Sequence, residues 1–468
     1  MGFNFVAEDA DQLFLMPPSI TDWLPEDHLA FFVLDAVGEM DLTAFYADYR
    51  ADGWGGAARH PKTMVALLLY AYCTGVVSSR KIEAACHVDV AFRVVCGNLA
   101  PDHTTIARFR QRHETGLKTL FTASLRLCAT AGMTSVGLVA VDGTKMASPA
   151  AMASNRSKDS IDKAVEEMFA DAAAADAAED AEHGPDRGDE PPGVLRGRAD
   201  RRRRFKAAKQ RLDAELHAEQ AAHEEHLARR AAEETKRGTK LRGRKPKAPA
   251  DRAGHKQRKV NTTDPESQVM STAKGFVQGY NAQAVANTEQ VIVSAEVTDE
   301  HNDSAQLHPM IQATSASLAQ AGIDTRPEKL LADAGYASEE NFAALDADDQ
   351  DVPDCYVATR NMKNNPTPRT GRRGPLKKDA TLVDRMDRKV STKNGNDLYR
   401  RRQQIIEPVF GQIKGARGIR GFSRRGKSAA GSEWKLICGT HNLLKLYRRT
   451  LVDPTAAPFS RIGAPTTA

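Results

Sequence analysis

Three acidic residues, Asp142, Asp333 and Glu407, lie in local contexts suited to holding a metal ion. Asp142 and Asp333 each end a short apolar run, and a glycine follows within two residues. Such a pattern predicts a strand that places a carboxylate at a sheet edge, beside a turn with room for a ligand. Glu407 lies in a basic helical stretch, residues 399–414. Two strand-end carboxylates and one helical carboxylate can hold paired divalent cations, which in-line attack on a phosphodiester uses.

Each of these residues also has a purely structural interpretation. An aspartate before a glycine at a strand end more often forms a turn or a cap than a functional site. Glu407 alone would most simply be a residue on a helix surface. The three together, each in a suitable context, favour the metal site.

Several longer motifs accompany the acidic residues. In chain order they cover residues 101–110, 139–145, 275–283, 331–336, 407–414 and 440–445. Through these motifs the chain resembles the DDE transposases of bacterial insertion sequences, in particular insertion-sequence group 1182, over roughly residues 15–447. One motif alone would be weak evidence, whereas several in the family's order are strong.

The resemblance implies catalytic and metal-binding roles for Asp142, Asp333 and Glu407, with Asp142 bridging two ions. The implied cofactor is Mg²⁺, for which Mn²⁺ can substitute, because Mg²⁺ prefers oxygen ligands and needs only one or two carboxylates per ion. One ion would activate the attacking water or 3′-hydroxyl, and the other would stabilise the leaving 3′-oxygen.

The resemblance extends to a Tyr, Arg, Glu, Lys signature, matched here by Tyr399, Arg402, Glu407 and Lys414. It implies that Arg402 and Lys414 contact phosphates and that Tyr399 stacks on or hydrogen-bonds to the DNA strand. Four residues separate Arg402 from Glu407, where many related transposases have three. Lys414 keeps the expected gap of six and lies two helical turns beyond Glu407 on the same face. Its alternative role is that of a lysine favoured at a helix end.

The elements that must position these residues fall into four units. The strand and helix order is that of a mixed α/β domain of the ribonuclease H-like fold, which the resemblance also implies, with its first and fourth strands adjacent. The predicted units are an all-helical N-terminal DNA-binding or dimerisation domain (1–132), the catalytic domain (133–149 and 262–452), a charged helical insertion between the first two strands (150–261) and a tail (453–468).

The N-terminal unit contains a candidate DNA-binding helix. Asp102 is its predicted N-cap, and Arg108 and Arg112, four residues apart, share a face. A short helix, a turn and a cationic helix are compatible with a helix-turn-helix. A helical bundle with an exposed basic face explains the same residues equally well.

Four local predictions concern the remaining elements. Residues 199–236 are predicted as one long charged helix, and Asp303 as the cap of a helix ending near residue 321. Residues 361–393 are predicted as a loose basic loop. Ser432 is predicted to cap the last amphipathic helix.

Charge and composition support a nucleic-acid partner. The 468 residues carry a net charge of only +5, but residues 196–260 and 360–427 are strongly basic, while 162–190 are acidic. Clustered Lys and Arg can neutralise phosphates, although solvated surface charge accounts for either block alone. The six cysteines include no C-x-x-C pair, which argues against a zinc ribbon and fits a reducing cytoplasm. No signal peptide, membrane span or ATP-binding phosphate loop is expected, so the predicted location is cytoplasmic and nucleoid-associated.

The predicted function is therefore a DNA transposase that cleaves insertion-sequence ends and joins the freed 3′-hydroxyl to target DNA. Its expected partners are the double-stranded terminal inverted repeats, the target DNA and a second copy of the chain, in a homodimer on DNA. Two alternatives stay open. One is a non-catalytic DNA-binding protein derived from a transposase, and the other is a ribonuclease H-like nuclease without strand transfer.

Overall fold

The computed structural model describes residues 19–49, 57–167, 193–240, 246–249, 259–272, 275–346, 352–359, 376 and 379–459. Parts of several predicted segments lie outside these residues. They are most of the acidic stretch, most of the linker before residue 197, most of the basic tail after residue 240, the first half of the basic loop and the end of the C-terminal tail.

The described N-terminal region is helical, as predicted. Its central helix, α3, is apolar on nearly every face and buried from Met64 to Cys73. Pro61 begins this helix, where its missing N–H has no partner to lose. The helices are α1 (Leu29–Gly38), α2 (Thr43–Tyr46), α3 (Pro61–Cys73), α4 (Ser79–Val88), α5 (Val90–Val95), α6 (His103–Arg112) and α7 (Glu114–Thr130).

A mixed sheet follows, and its topology confirms the predicted ribonuclease H-like fold. The main strands are β1 (Leu138–Ala147), β4 (Gln268–Thr272), β5 (Gly275–Asn287), β6 (Ile292–Thr298), β7 (Lys329–Ala332) and β8 (Asp354–Val357). Their order is β4-β5-β1-β7-β8, and β6 also pairs with β5. β1 is antiparallel to β5 but parallel to β7, and β7 is parallel to β8. The first strand therefore lies directly beside the strand that precedes Asp333.

The insertion between β1 and β5 contains the predicted long helix. A two-stranded sheet of β2 (Asn155–Ser157) and β3 (Lys259–Asn261) lies at its base. The helical residues are α8 (158–167) and α9 (Gly193–Arg237). Phe205 and Leu212 of α9 pack against Ile161 and Val260 in a small cluster separate from the main core. Arg211 of the same helix forms an ion pair with Asp299, which attaches the insertion to the end of β6.

The C-terminal part contains α10 (Leu307–Gln320), α11 (Glu339–Asp346), α12 (Leu382–Ser391), α13 (Lys393–Ile405), α14 (Glu407–Gly411) and α15 (Lys427–Val452). α15 joins the sheet to the N-terminal helices. Its Asn442 bonds both the N–H and the C=O of Ile292 at 2.8 Å, and its Glu433 accepts a 2.7 Å bond from the Tyr72 hydroxyl of α3.

Three local predictions were wrong. The helix expected to be capped by Asp303 begins at Leu307, with Gln306 at its N-cap. The described end of the expected basic loop is helical, because Thr381 and Asp384 form a capping box that starts α12. Ser432 lies inside α15 and donates to the Glu114 carbonyl at 2.9 Å, so it does not cap that helix.

Within the described residues, no helix combines the length and apolar character needed to cross a membrane.

Candidate active site

The strands bring Asp142 and Asp333 to the same level of the sheet. Ala140 of β1 is paired with Leu331 of β7, and each aspartate lies two residues further along its chain. Asp333 keeps an extended backbone, with φ −80° and ψ −178°. Side chains two residues apart on extended chain point to the same face. Asp142 and Asp333 therefore share one face of the sheet on adjacent chains.

Asp142 is not at the end of its strand, which corrects the sequence-based prediction. β1 continues to Ala147 because its antiparallel pairing with β5 runs through Asp142, opposite Ala284, as far as Ala147. Only the parallel pairing with β7 stops before Asp142. The open space beside Asp142 thus arises from the short neighbouring strand, whereas the expected turn after Asp142 is absent.

The two aspartates are half-buried carboxylates that interact with each other. Gly143 N–H donates to Asp142 Oδ1, and Gly335 N–H donates to Asp333 Oδ1, each at 2.8 Å. Burial raises the pKa of Asp142 to about 6, and the charge of Asp333 adds to this, while Arg402 opposes it. Burial also raises the pKa of Asp333. In both residues burial disfavours the charged form of the carboxyl group.

A break in the helix brings Glu407 towards this pair. The basic stretch 399–414, expected to be one helix, is divided at Ile406 into α13 and α14 and then ends in a π-helical turn over Gln412–Ala416. In an unbroken helix, residues five apart point to different sides. Across this interruption Arg402 Nη2 lies 3.3 Å from Glu407 Oε1. The contact spans the unusual four-residue gap between Arg402 and Glu407.

Arg402 links two of the three predicted metal ligands. Its Nη1 lies 2.9 Å from Asp142 Oδ2, and its Nη2 contacts Glu407. The Arg402 side chain is 12% exposed and that of Asp142 is 19% exposed, whereas that of Glu407 is 51% exposed. The guanidinium, predicted to bind phosphate, thus lies between the carboxylates as an internal cation.

The donor chemistry of Asp142 and Asp333 fits a divalent cation. These carboxylates supply hard oxygen ligands, and their raised pKa values favour a nearby positive charge. Over the described ranges, however, no three His, Cys, Asp or Glu side chains converge as a metal-binding group. At the predicted site the Arg402 guanidinium lies between Asp142 and Glu407.

The other predicted residues of the signature lie around the same region. Tyr399 is one turn before Arg402 on α13, and burial raises the pKa of its hydroxyl. Lys414 Nζ donates to the Lys145 carbonyl of β1 at 2.7 Å. Burial, helped by the charge of Lys145, lowers the pKa of Lys414 to about 8. Lys414, in the π-helical turn, is therefore anchored to the strand that carries Asp142.

Sequence analysis missed two charged residues beside this site. Asp303, expected to be a helix cap, accepts 2.7 Å hydrogen bonds from the side-chain amides of Asn281 and Gln283. Lys145 Nζ lies 3.7 Å from Asp303 Oδ1 and donates to the His301 carbonyl at 2.8 Å. Lys145 ends one of the family-like motifs, whereas Asp303 lies outside all of them, so their contact could not be predicted from the sequence.

The two arginines predicted to bind DNA in the N-terminal domain lie apart from the carboxylates, on α6. Arg108 is exposed. Arg112 forms a 3.7 Å ion pair with Asp48, and its guanidinium lies 5.0 Å from the centre of the Tyr49 ring. Between them, Arg110 is buried and donates to the Val77 carbonyl and the Ser423 hydroxyl, each at 2.7 Å. α6 therefore has an exposed basic side and a buried arginine that joins it to the catalytic region.

Two known families match parts of the chain. Residues 18–112 match the family described as Transposase domain (DUF772), and residues 238–443 match the family described as Transposase DDE domain. The chain has the domain architecture of an insertion-sequence transposase. Asp333 and Glu407 lie inside the second match, whereas Asp142 precedes it, on the strand separated from the rest of the sheet by the insertion.

Neither a curated protein nor a solved structure gave a match. DDE transposases generally use divalent metal ions and act on DNA.

Proposed function

We propose that this transposase cleaves DNA at the ends of its insertion sequence and joins the freed 3′-hydroxyl to target DNA. The observation that carries the proposal is the placement of Asp142 and Asp333 on one face of adjacent chains in a ribonuclease H-like sheet. Glu407 completes the acidic set from the broken helix, through its contact with Arg402.

Asp142, Asp333 and Glu407 are the proposed ligands of the divalent cations, with Mg²⁺ as the expected ion and Mn²⁺ as its substitute. Bound cations would supply activation of the attacking oxygen and stabilisation of the leaving 3′-oxygen. The protein's own contribution is to hold two carboxylates in a buried, water-poor place, where electrostatic interactions are stronger than in bulk solvent.

DNA is the proposed partner, as terminal inverted repeats and as target. Tyr399 lies one turn before Arg402, and Lys414 is bonded to the strand that carries Asp142. Arg402 becomes available for phosphate once it leaves Asp142. Arg108 and Arg112 on α6 are proposed to contact the DNA further from the cut. Both ends of the element must be held together during transposition, so a homodimer assembled on DNA is expected.

The test is strand transfer by the full chain with a pre-cut end of its own insertion sequence and a plasmid target. The variants Asp142→Asn, Asp333→Asn and Glu407→Gln change charge but hardly change shape. We expect each to abolish joining while end binding, measured by fluorescence anisotropy, stays within a few-fold of the parent protein. Asp324→Asn, at an exposed position before β7, is the matched control and should join normally.

Two results would select the alternatives. End binding without cleavage or joining, in the parent protein with Mg²⁺ or Mn²⁺, would indicate a non-catalytic DNA-binding protein. Cleavage of ends without any joining of a pre-cut end would indicate a nuclease. Joining by the Asp142 variant at the parent rate would defeat the assignment of that residue.

A further inference from the structure

Gln283 has every polar group of its side chain engaged on the back of the candidate site. It lies on β5 directly opposite Gly143 of β1, and it is fully buried. Its Oε1 accepts a hydrogen bond from the Tyr336 hydroxyl, and its Nε2 donates to Asp303 Oδ1 at 2.7 Å and to Asn281 Oδ1 at 3.1 Å. A buried amide is costly unless it is satisfied in this way.

These hydrogen bonds cross the strand that carries Asp142. In the sheet order, β1 separates β5 from β7, so Gln283 and the turn after β7 are about 10 Å apart at the usual strand spacing. Tyr336 belongs to that turn, three residues after Asp333, and its side chain is fully buried. The Tyr336–Gln283 bond thus joins the Asp333 turn to β5, across the face of β1 opposite to that of Asp142.

Gly143 makes this crossing possible. A Cβ atom at position 143 would lie 2.3 Å from Gln283 Nε2 and 2.5 Å from Asp303 Oδ1, closer than atoms can approach. Any side chain there would displace the amide or the carboxylate. The glycine after Asp142 therefore provides the space that Gln283 and Asp303 occupy over the strand.

Asp303 connects the same amide to the Asp333 turn. Its Oδ1 is held by Gln283, Asn281 and Lys145, while its Oδ2 lies 3.4 Å from where a Cβ on Gly335 would stand. Asp333 Oδ1 lies 3.0 Å from that same position. Gln283 thus holds two side chains that lie near the Asp333 carboxylate. Tyr336 is three residues after Asp333 in the chain, and Asp303 belongs to a separate segment.

We propose that Gln283 is a positioning residue that sets the spacing between Asp142 and Asp333, through its hydrogen bonds to Tyr336 and Asp303 across Gly143. Gln283 is fully buried, so it acts through Tyr336 and Asp303. The inference rests on the proposed function, because the spacing of the two carboxylates matters only if they hold a cation together. A ligand set displaced by about 1 Å loses much of its function.

The test measures Mn²⁺ binding to the full chain as the decrease in the electron paramagnetic resonance signal of free Mn²⁺. Tyr336→Phe removes only the hydroxyl of the crossing bond, and Gln283→Met keeps the length of the side chain without its polar atoms. We expect both to weaken Mn²⁺ binding at least tenfold and to raise the Mg²⁺ concentration for half-maximal cleavage in parallel. If Gln283→Met fails to fold, Tyr336→Phe decides the question alone.

The matched control is Gln278→Met on the same strand. Gln278 is also buried, and its amide donates to the Ser267 carbonyl and hydroxyl at 2.9 Å and 2.8 Å, away from the aspartates. Loss of stability alone would affect this variant similarly. Unchanged Mn²⁺ binding in Tyr336→Phe, or an equal loss in Gln278→Met, would overturn the inference while leaving the proposed function intact. Absence of Mn²⁺ binding in the parent protein would overturn both.

Discussion

Replacing Arg402 by glutamine should make the protein depend on a divalent cation for stability. The change removes the positive charge 2.9 Å from Asp142 Oδ2 and leaves a buried carboxylate beside Asp333. A cation should then stabilise the variant more than it stabilises the parent, since it no longer competes with the guanidinium.

The size of the effect follows from the geometry. Two charges about 4 Å apart interact by about 4 kcal/mol at an effective dielectric constant near 20. Breaking one partner of a buried pair costs about 3–5 kcal/mol, and neither side chain of the Arg402–Asp142 pair exceeds 19% exposure. The contact with Glu407, which is 51% exposed, adds only about 0–1 kcal/mol. We therefore expect the free energy of unfolding to fall by about 4 kcal/mol in the presence of chelator.

The assay is urea unfolding of the parent protein and Arg402→Gln, each with chelator and with excess Mn²⁺. Arg401→Gln, one residue away and exposed, is the control and should change stability by less than about 0.5 kcal/mol. In the double variant with Asp142→Asn, much of the loss should disappear because no buried charge is left alone. Equal stability of Arg402→Gln and the parent in chelator, or equal stabilisation of both by Mn²⁺, would refute the reasoning.

Three further predictions concern other parts of the structure. The pKa of Lys414 is lowered to about 8, so its charge is lost as pH rises through that value. Affinity for end DNA, measured by anisotropy titrations, should therefore fall by up to about tenfold per pH unit above it. Lys414→Arg, which stays charged, should lose this pH dependence. Gly143→Ala should reduce the cleavage rate at least about a hundredfold while end binding is retained. The reason is that the methyl group of the alanine would displace Gln283. A normal cleavage rate would contradict the described packing. Glu433→Gln should lower the free energy of unfolding, measured in urea, by about 2–4 kcal/mol. The reason is that this buried carboxylate accepts hydrogen bonds from the Tyr72 hydroxyl and from the backbone N–H of Ser423. A change below about 0.5 kcal/mol would contradict that role.

The position of the aspartates in the fold was predictable from local sequence. Apolar runs ending in Asp142 and Asp333 predicted strands, and the resemblance to DDE transposases made those strands neighbours, as the structure confirms. The extension of β1 beyond Asp142 was not predictable from the run alone. It depends on pairing with β5, which lies more than a hundred residues later in the chain.

Local capping patterns misled the sequence analysis where tertiary contacts use the same residues. Asp303 precedes a helix and so resembles an N-cap, but its carboxylate is held by amides of β5. Ser432 resembles an N-cap because it precedes the amphipathic pattern of the last helix. α15 begins earlier, after Gly426, whose φ is +90°. Conversely, Thr381 and Asp384 carried a capping box that the basic composition of the surrounding stretch obscured.

The arrangement around Glu407 lay furthest beyond prediction. The four-residue gap after Arg402 was visible in the sequence, but its consequence depends on the helix break at Ile406. Arg402 contacts Asp142 and Glu407 together beside that interruption. Helical periodicity alone describes one straight helix and says nothing of the contact with Asp142, which is 260 residues away in the chain.

The most direct test of the central claim is cleavage of labelled DNA carrying the terminal repeat of this insertion sequence, with Mg²⁺ or with chelator, by the parent protein and Asp142→Asn. The three-carboxylate site predicts Mg²⁺-dependent cutting at the end of the element by the parent and none by the variant, with both proteins bound to the DNA. Cutting by Asp142→Asn, or cutting by the parent in chelator, would contradict the account.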